Sequence, residues 1–289
     1  MDITTLNSSA VTVAQLEFRP SLLLRHREVA LRLNVDRRSP FPVRRCPRAS
    51  GKPPVAGARS VPDEAVVRSP AENLELKKKA MDISADLKGT SIFLVGMKCD
   101  VKEKIGKLLA ELLRYYYFDS DGLVEEAAGG EASAKLYRET DEKGFLESET
   151  EVLKQLSAMG RLVVCAGDGA VQSSTNLALL RHGISIWVDI PIDRVLDGLI
   201  KDRPACQQPH SLSESEQNQL LTQLASIYEE TRGGYDTADA TISLQKVTLN
   251  QGYNDMSEVT DEDMTMEVLK EIGKLIRARK MMEEAGRPF

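Results

Sequence analysis

SIFLVGMKCDVKEKIGKLLAEL, Ser91–Leu112, places the apolar run Ile92–Val95 directly before Gly96. After the short stretch Met97–Val101 comes Lys102, and with it an amphipathic pattern carrying Ile105, Leu108, Leu109 and Leu112. Strand, turn and helix in that order outline a phosphate-binding loop. A working loop of the form GxxxxGKS or GxxxxGKT needs glycine before the lysine, so that successive backbone N–H groups converge on phosphate oxygens. It also needs a hydroxyl after the lysine for magnesium. Here those two positions hold Val101 and Glu103. A β-branched residue resists positive φ, and Glu103 and Asp100 set carboxylates where charged phosphates would lie. Lys98, Lys102 and Lys104 offset part of that charge without rebuilding the cradle of backbone donors.

Outward from this stretch, short apolar runs alternate with longer helical patterns, which is how a parallel sheet covered by helices reads. Strands are expected over Ile92–Val95, Tyr115–Phe118, Leu162–Ala166, Ile184–Val188 and Ala240–Leu244. Their near-continuous apolar character predicts burial on both faces. Helices are expected over Glu103–Leu113, Leu123–Ala128, Glu147–Ala158, Ser173–Leu180, Ile192–Ile200, Glu214–Glu230 and Asp261–Glu284. Asp261 is the N-cap candidate of the last, whose apolar set Met266, Leu269, Ile272, Leu275 and Ile276 suits docking on this domain or on another chain. Glu72–Lys79 reads as a charged run. DRPACQQPHSLS, Asp202–Ser213, has two prolines and no periodicity, and reads as a flap.

The chain has 289 residues, 42% of them hydrophobic, enough for a substantial core. No stretch approaches the roughly 18 consecutive apolar residues of a spanning helix. Charge is divided unevenly. Residues 1–70 carry 11 Arg and 1 Lys against 6 acidic residues, a net of +6, which leaves −12 for 71–289. That first segment also holds 8 of the 12 prolines and includes RLNVDRRSPFPVRRCPRASG, Arg32–Gly51. It reads as an organelle transit peptide and linker, with the folded domain at 71–289. The competing reading, a basic arm for nucleic acid, suits the acidic body poorly. Cys99, Cys165 and Cys206 have no metal-ligand spacing, so reduced thiols and no zinc are expected.

Three further motifs follow the altered loop: FDSD at Phe118–Asp121, CAGDGAV at Cys165–Val171 and TRGGYDTAD at Thr231–Asp239. With VGMKCDVKEKIGKLLA they resemble shikimate kinases over about Leu87–Leu244, the plant plastid forms in particular, and among these a chloroplast group regarded as having lost kinase activity. The resemblance implies a three-layer α/β/α domain of the P-loop nucleoside-monophosphate-kinase type, with a five-stranded parallel sheet, ATP at the loop, shikimate beside it and a lid above. It places Gly96 on the loop's first glycine and Lys102 on the phosphate-contacting lysine. The family's other loop glycines fall on Cys99 and Val101, and its magnesium-binding hydroxyl on Glu103. Asp119 matches the acid that supports the metal shell, and Asp121 the acid that contacts substrate hydroxyls. Gly167, Asp168 and Gly169 stand on a triple glycine. Arg232 matches one carboxylate-pairing arginine, the other (of an FRxxE pattern) falls on Leu146, and Arg203 matches the lid arginine.

Each position also has a plainer reading. Asp119 and Asp121 can cap the next helix, Lys102 can be a solvated first-turn residue, and Arg232 can pair with acidic neighbours. Cys99 is either an inert loop thiol or, beside Lys98 and Lys102, a low-pKa redox centre. Tyr115–Tyr117 suits strand packing, and His182 and His210 carry no assigned chemistry. The joint losses imply a catalytically inactive homologue, and the resemblance together with the transit-like segment implies the chloroplast stroma. On the resemblance it serves chloroplast biogenesis through an unknown plastid protein partner, with no cofactor unless the altered loop still holds Mg-ATP. A small-molecule kinase with an altered substrate, or with residual ATP-dependent shikimate phosphorylation, is the alternative.

Overall fold

The computed structural model describes residues 70–201 and 214–286. Its centre is β1 (Ile92–Val95), every residue of which is buried. Parallel pairing joins it to β3 (Leu162–Cys165) on one side and β4 (Ile184–Asp189) on the other. β2 (Tyr116–Asp119) and β5 (Ala240–Ser243) complete a five-stranded sheet of order β2-β3-β1-β4-β5. Side chains alternate along each strand. Ile92 and Leu94 therefore join one apolar layer with Ile105, Leu109, Val163 and Ile186, whereas Phe93 and Val95 join the opposite layer with Val152, Leu156, Val164 and Trp187.

The expected strands are all present, but burial on both faces holds only at the centre. β2 and β5 are edges, and Tyr116 is 46% exposed. Tyr115 and Tyr117 pack against the core, as the strand-packing reading requires.

Helices cover both faces, giving three layers. One face carries α1 (Pro70–Leu87), α2 (Asp100–Leu113), α9 (Leu244–Gln251) and α10 (Asp261–Ala285), and the other is covered in part by α3 (Ser120–Ala128), α4 (Glu131–Thr140), α5 (Glu142–Ser157), α6 (Ser174–Leu180) and α8 (Glu214–Tyr235). α7 (Ile192–Lys201) follows β4. Three of these helices, α1, α4 and α9, are additional to those the sequence pattern predicts. α1 lies under the charged run. Leu76, Ala80, Ile83 and Leu87 are buried at helical spacing, so the lysines at 77–79 sit on its solvent side.

α2 starts at Asp100, three residues before the expected Glu103, and leaves an irregular turn of only Gly96–Cys99. α10 docks on this same domain, its Val268, Leu269 and Ile272 sharing a layer with the buried residues of α1. Its N-cap is Thr260 rather than Asp261. The Thr260 side chain accepts from the Asp263 N–H while the Asp263 carboxylate accepts from the Thr260 N–H, a reciprocal capping box. The flap expected over Asp202–Ser213, with Arg203, lies outside the described residues, as do residues 1–69 of the segment 1–70 read as transit peptide and linker, whose last residue, Pro70, opens α1.

Candidate functional site

The carboxyl ends of β1, β2 and β3 converge on one rim of the sheet, where parallel α/β folds gather their ligands. Gly96 leaves β1 at φ +136°, and a Cβ there would stand 2.5 Å from the Val188 carbonyl oxygen of β4. Two backbones approach too closely for any side chain, so glycine is needed by the packing alone.

Lys102 is the surprise of the loop. It is only 3% exposed, and its Nζ donates to the Gly96 oxygen at 2.6 Å and to the Ala166 oxygen at 2.8 Å. The solvated reading is therefore wrong: the ammonium ties the turn after β1 to the turn after β3. Its neighbours face outward. Asp100 accepts from Lys104 at 2.8 Å and Glu103 from Lys107 at 3.2 Å, both as pairs one helical turn apart. Cys99 is buried, and burial pushes its thiol up rather than down, which opposes the low-pKa redox reading. Burial likewise takes Cys165 to about 11.

β2 ends in Asp119, whose carboxylate accepts from the Asp121 N–H at 3.2 Å and so caps α3, as the plainer reading proposed. Ser120 Oγ accepts from the Gly167 N–H at 3.0 Å, which occupies one of the backbone donors of the turn after β3. Asp121 lies so close to Gly167 that a Cβ there would meet its Oδ1 at 1.6 Å. Burial pushes both Asp119 and Asp121 up, against the pull of Lys98 and Lys102. Asp168 does point inward: Tyr235, fully buried on α8 and stacked on Trp187, donates its hydroxyl to Asp168 Oδ1 at 3.0 Å.

A residue without an assigned role in the sequence reading completes this cluster. Glu149 of α5 is buried, with Oε2 against Gly169, where a Cβ would stand 1.8 Å away. Its nearest cation is Arg138 of α4, 4.0 Å from Oε1, with the guanidinium 4.8 Å from the centre of the Phe145 ring. Burial first, and then Asp121, raise its carboxyl from an ordinary 4.5 to about 7. Phe145, Ser148, Glu149 and Val152 are all buried, so Glu149 falls on the inward face of α5 in plain helical spacing. Arg138 was hidden because its helix was. Arg232 joins nothing here: it is exposed on α8 and pairs at 3.9 Å with Glu229.

A folded carboxyl near 7 binds a proton more tightly than the same group unfolded. Between about pH 4.5 and 7 the native state holds more protons, so this group's contribution to stability falls as pH rises through that window and is flat above it. Glu149→Gln is expected to remove that fall. Relative to the variant, the wild-type protein should lose on the order of 2 kcal/mol between pH 5 and 8, read from urea midpoints at the two pH values.

The family model described as shikimate kinase matches residues 101–262. A protein of Arabidopsis thaliana named "Probable inactive shikimate kinase like 1, chloroplastic" is 58% identical over 74% of this chain and 73% of its own length. "Shikimate kinase 2, chloroplastic" of Oryza sativa subsp. japonica is 36% identical over 71% of this chain and 67% of its own. Among solved structures, the shikimate kinase of Bacteroides thetaiotaomicron superposes with a TM-score of 0.51 at 20% identity, covering 64% of this chain and 98% of that one, a likeness of fold.

Proposed function

Because the chain belongs to the shikimate kinase family, we propose that it is a plastid member that has given up phosphoryl transfer and serves chloroplast biogenesis through a binding role toward a plastid protein. The observation that carries this reading is the loop. The loop lysine, Lys102, is held by two backbone carbonyls, while Val101 and Glu103 stand where a glycine and a magnesium-binding hydroxyl are needed. A magnesium-bound nucleotide does not fit these residues. Asp100 and Glu103 are acceptors already paired with lysines of their own helix, so neither is a donor to phosphate. The acid-binding side has lost one arginine at Leu146, and Arg232 leans on Glu229.

The Arabidopsis thaliana relative's name, with both "inactive" and "chloroplastic" in it, supports the same reading, as does the arginine- and proline-rich composition of residues 1–70. Arg203 remains a vestigial lid position in this proposal, beside Gly96, Lys102, Asp119, Asp121, Gly167, Gly169 and Arg232. Calorimetric titration with Mg-ATP, with and without shikimate, is expected to give no saturable heat at millimolar nucleotide and no phosphorylated product. Turnover abolished by Lys102→Ala or Asp121→Ala would instead establish an enzyme with a changed substrate.

A further inference from the structure

Among the described residues, the three other than glycine that take positive φ are all basic: Lys88 at 51°, Arg114 at 56° and Arg161 at 61°. Glycine suits such turns best, because a Cβ there crowds the backbone. Each residue stands in the turn that enters a strand, Lys88 before β1, Arg114 before β2 and Arg161 before β3, at the amino ends of the strands and so on the rim opposite the candidate site. Backbone contacts join the turns. The Arg161 N–H donates to the Gly89 oxygen at 2.8 Å, the Tyr116 N–H donates to the Arg161 oxygen at 3.0 Å, and a Cβ at Gly89 would stand 3.4 Å from Arg161 Cγ.

All three basic side chains are exposed, and among the described residues none has an acidic partner. Asp86 is taken by Lys280 at 2.6 Å, which leaves Glu111, a turn before Arg114, as the acid closest to them in the chain. A cation near a helix carboxyl end also suits the helix dipole, which accounts for Arg114 at the cap of α2 and for Lys88 just past α1. Arg161 has no such reason, since α5 ends at Ser157 and β3 begins at Leu162. Three free cations on a body of net charge −12, in turns that glycine would enter more easily, leave the side chains rather than the backbone as the reason for these residues.

Two of the three are guanidiniums, whose paired donors match carboxylates. Three cations fall short of the roughly four to eight of a membrane-binding cluster, and an extended nucleic acid would run from them onto an acidic body. A short segment carrying two or three carboxylates matches their number, and Tyr116, 46% exposed in the same group of turns, offers it an aromatic face.

We propose that the rim formed by Lys88, Arg114 and Arg161 docks an acidic segment of a partner protein. The proposal rests on the binding role put forward above and gives that role a surface.

The probe is a synthetic peptide of alternating glutamate and serine, with a glutamine counterpart, titrated into the isotope-labelled full chain and followed by amide chemical shifts. The glutamate peptide should give saturable shifts at Gly89, Tyr116 and Arg161, half-complete on the order of 100 μM, and the glutamine peptide none. The triple variant Lys88→Gly, Arg114→Gly, Arg161→Gly should weaken binding about tenfold or more with its urea midpoint unchanged or raised, because glycine suits the turns. Arg161→Gln alone, which keeps a side chain at that turn, should weaken it as well. Shifts confined to residues 1–70, undiminished binding by the triple variant, or equal or tighter saturation of the same amides by single-stranded DNA or by vesicles of anionic lipid overturns the proposal. None of these results bears on the titration with Mg-ATP and shikimate, where a phosphorylated product would overturn the loss of catalysis instead.

Discussion

Lys102→Met is expected to lower the free energy of unfolding by about 3 kcal/mol, with the urea midpoint falling and the slope of the transition unchanged. Methionine keeps most of the side chain's bulk, so the effect isolates the ammonium. With it go two charge-assisted hydrogen bonds, and the Gly96 and Ala166 carbonyls are left without that donor in a buried turn. Asp121 also loses the nearby charge that favours its ionised form. A lysine that served only a bound phosphate would behave otherwise: its removal would leave the unliganded fold as stable as before. A midpoint within experimental error of wild type would therefore refute the structural role of Lys102.

Gly96→Ala should be at least as damaging, about 3 kcal/mol or more. The backbone there sits at φ +136°, which L-residues rarely adopt, and the added methyl meets a backbone oxygen, Val188, at 2.5 Å. A carbonyl inside a paired strand cannot swing aside as a side chain can. Gly169→Ala provides the internal comparison: its methyl would meet only the flexible end of Glu149, so its cost should be smaller. Thermal or denaturant unfolding of the two variants side by side checks the order. Equal stability of Gly96→Ala and wild type would mean that the turn relaxes without difficulty.

These two expectations explain which parts of the loop motif persist. Gly96 and Lys102 have work in the fold itself, one allowing β1 and β4 to close and the other tying β1 to β3. On the proposed reading, Cys99, Val101 and Glu103 stand where the family resemblance expects residues that contact a nucleotide and its metal. Val101 packs partly against the core and Glu103 pairs with Lys107, so the substitutes satisfy ordinary helix chemistry.

The sheet was readable because each strand is a short apolar run between polar or glycine-containing turns, and β-ladders buried at the centre of a parallel sheet leave no other mark. α1 was hidden by three consecutive lysines, although Leu76, Ala80, Ile83 and Leu87 carried the helical period beneath them. α4 was hidden by Gly129 and Gly130 ahead of it and by a mostly polar composition. In the site, local roles could be read and distant ones could not. Asp119 caps the helix that follows it immediately. Lys102 depends on a carbonyl 64 residues away, and Glu149 meets Gly169 beyond the rest of α5 and the whole of β3, relations that a linear pattern does not record.

The pairing of α1 with α10 bears on the order in which the molecule can be built. Leu76, Ala80, Ile83 and Leu87 share a layer with Val268, Leu269 and Ile272, and Lys280 reaches Asp86 at 2.6 Å across 194 residues. The five strands are complete by Ser243, well before the last helix emerges. A chain threaded through a narrow passage amino end first would thus form its sheet with one flank still wet, and that flank would close only when its final helix arrived. Such long-range closure is slow relative to local helix formation. Truncation within α10 would accordingly loosen the start of the domain as well as its end.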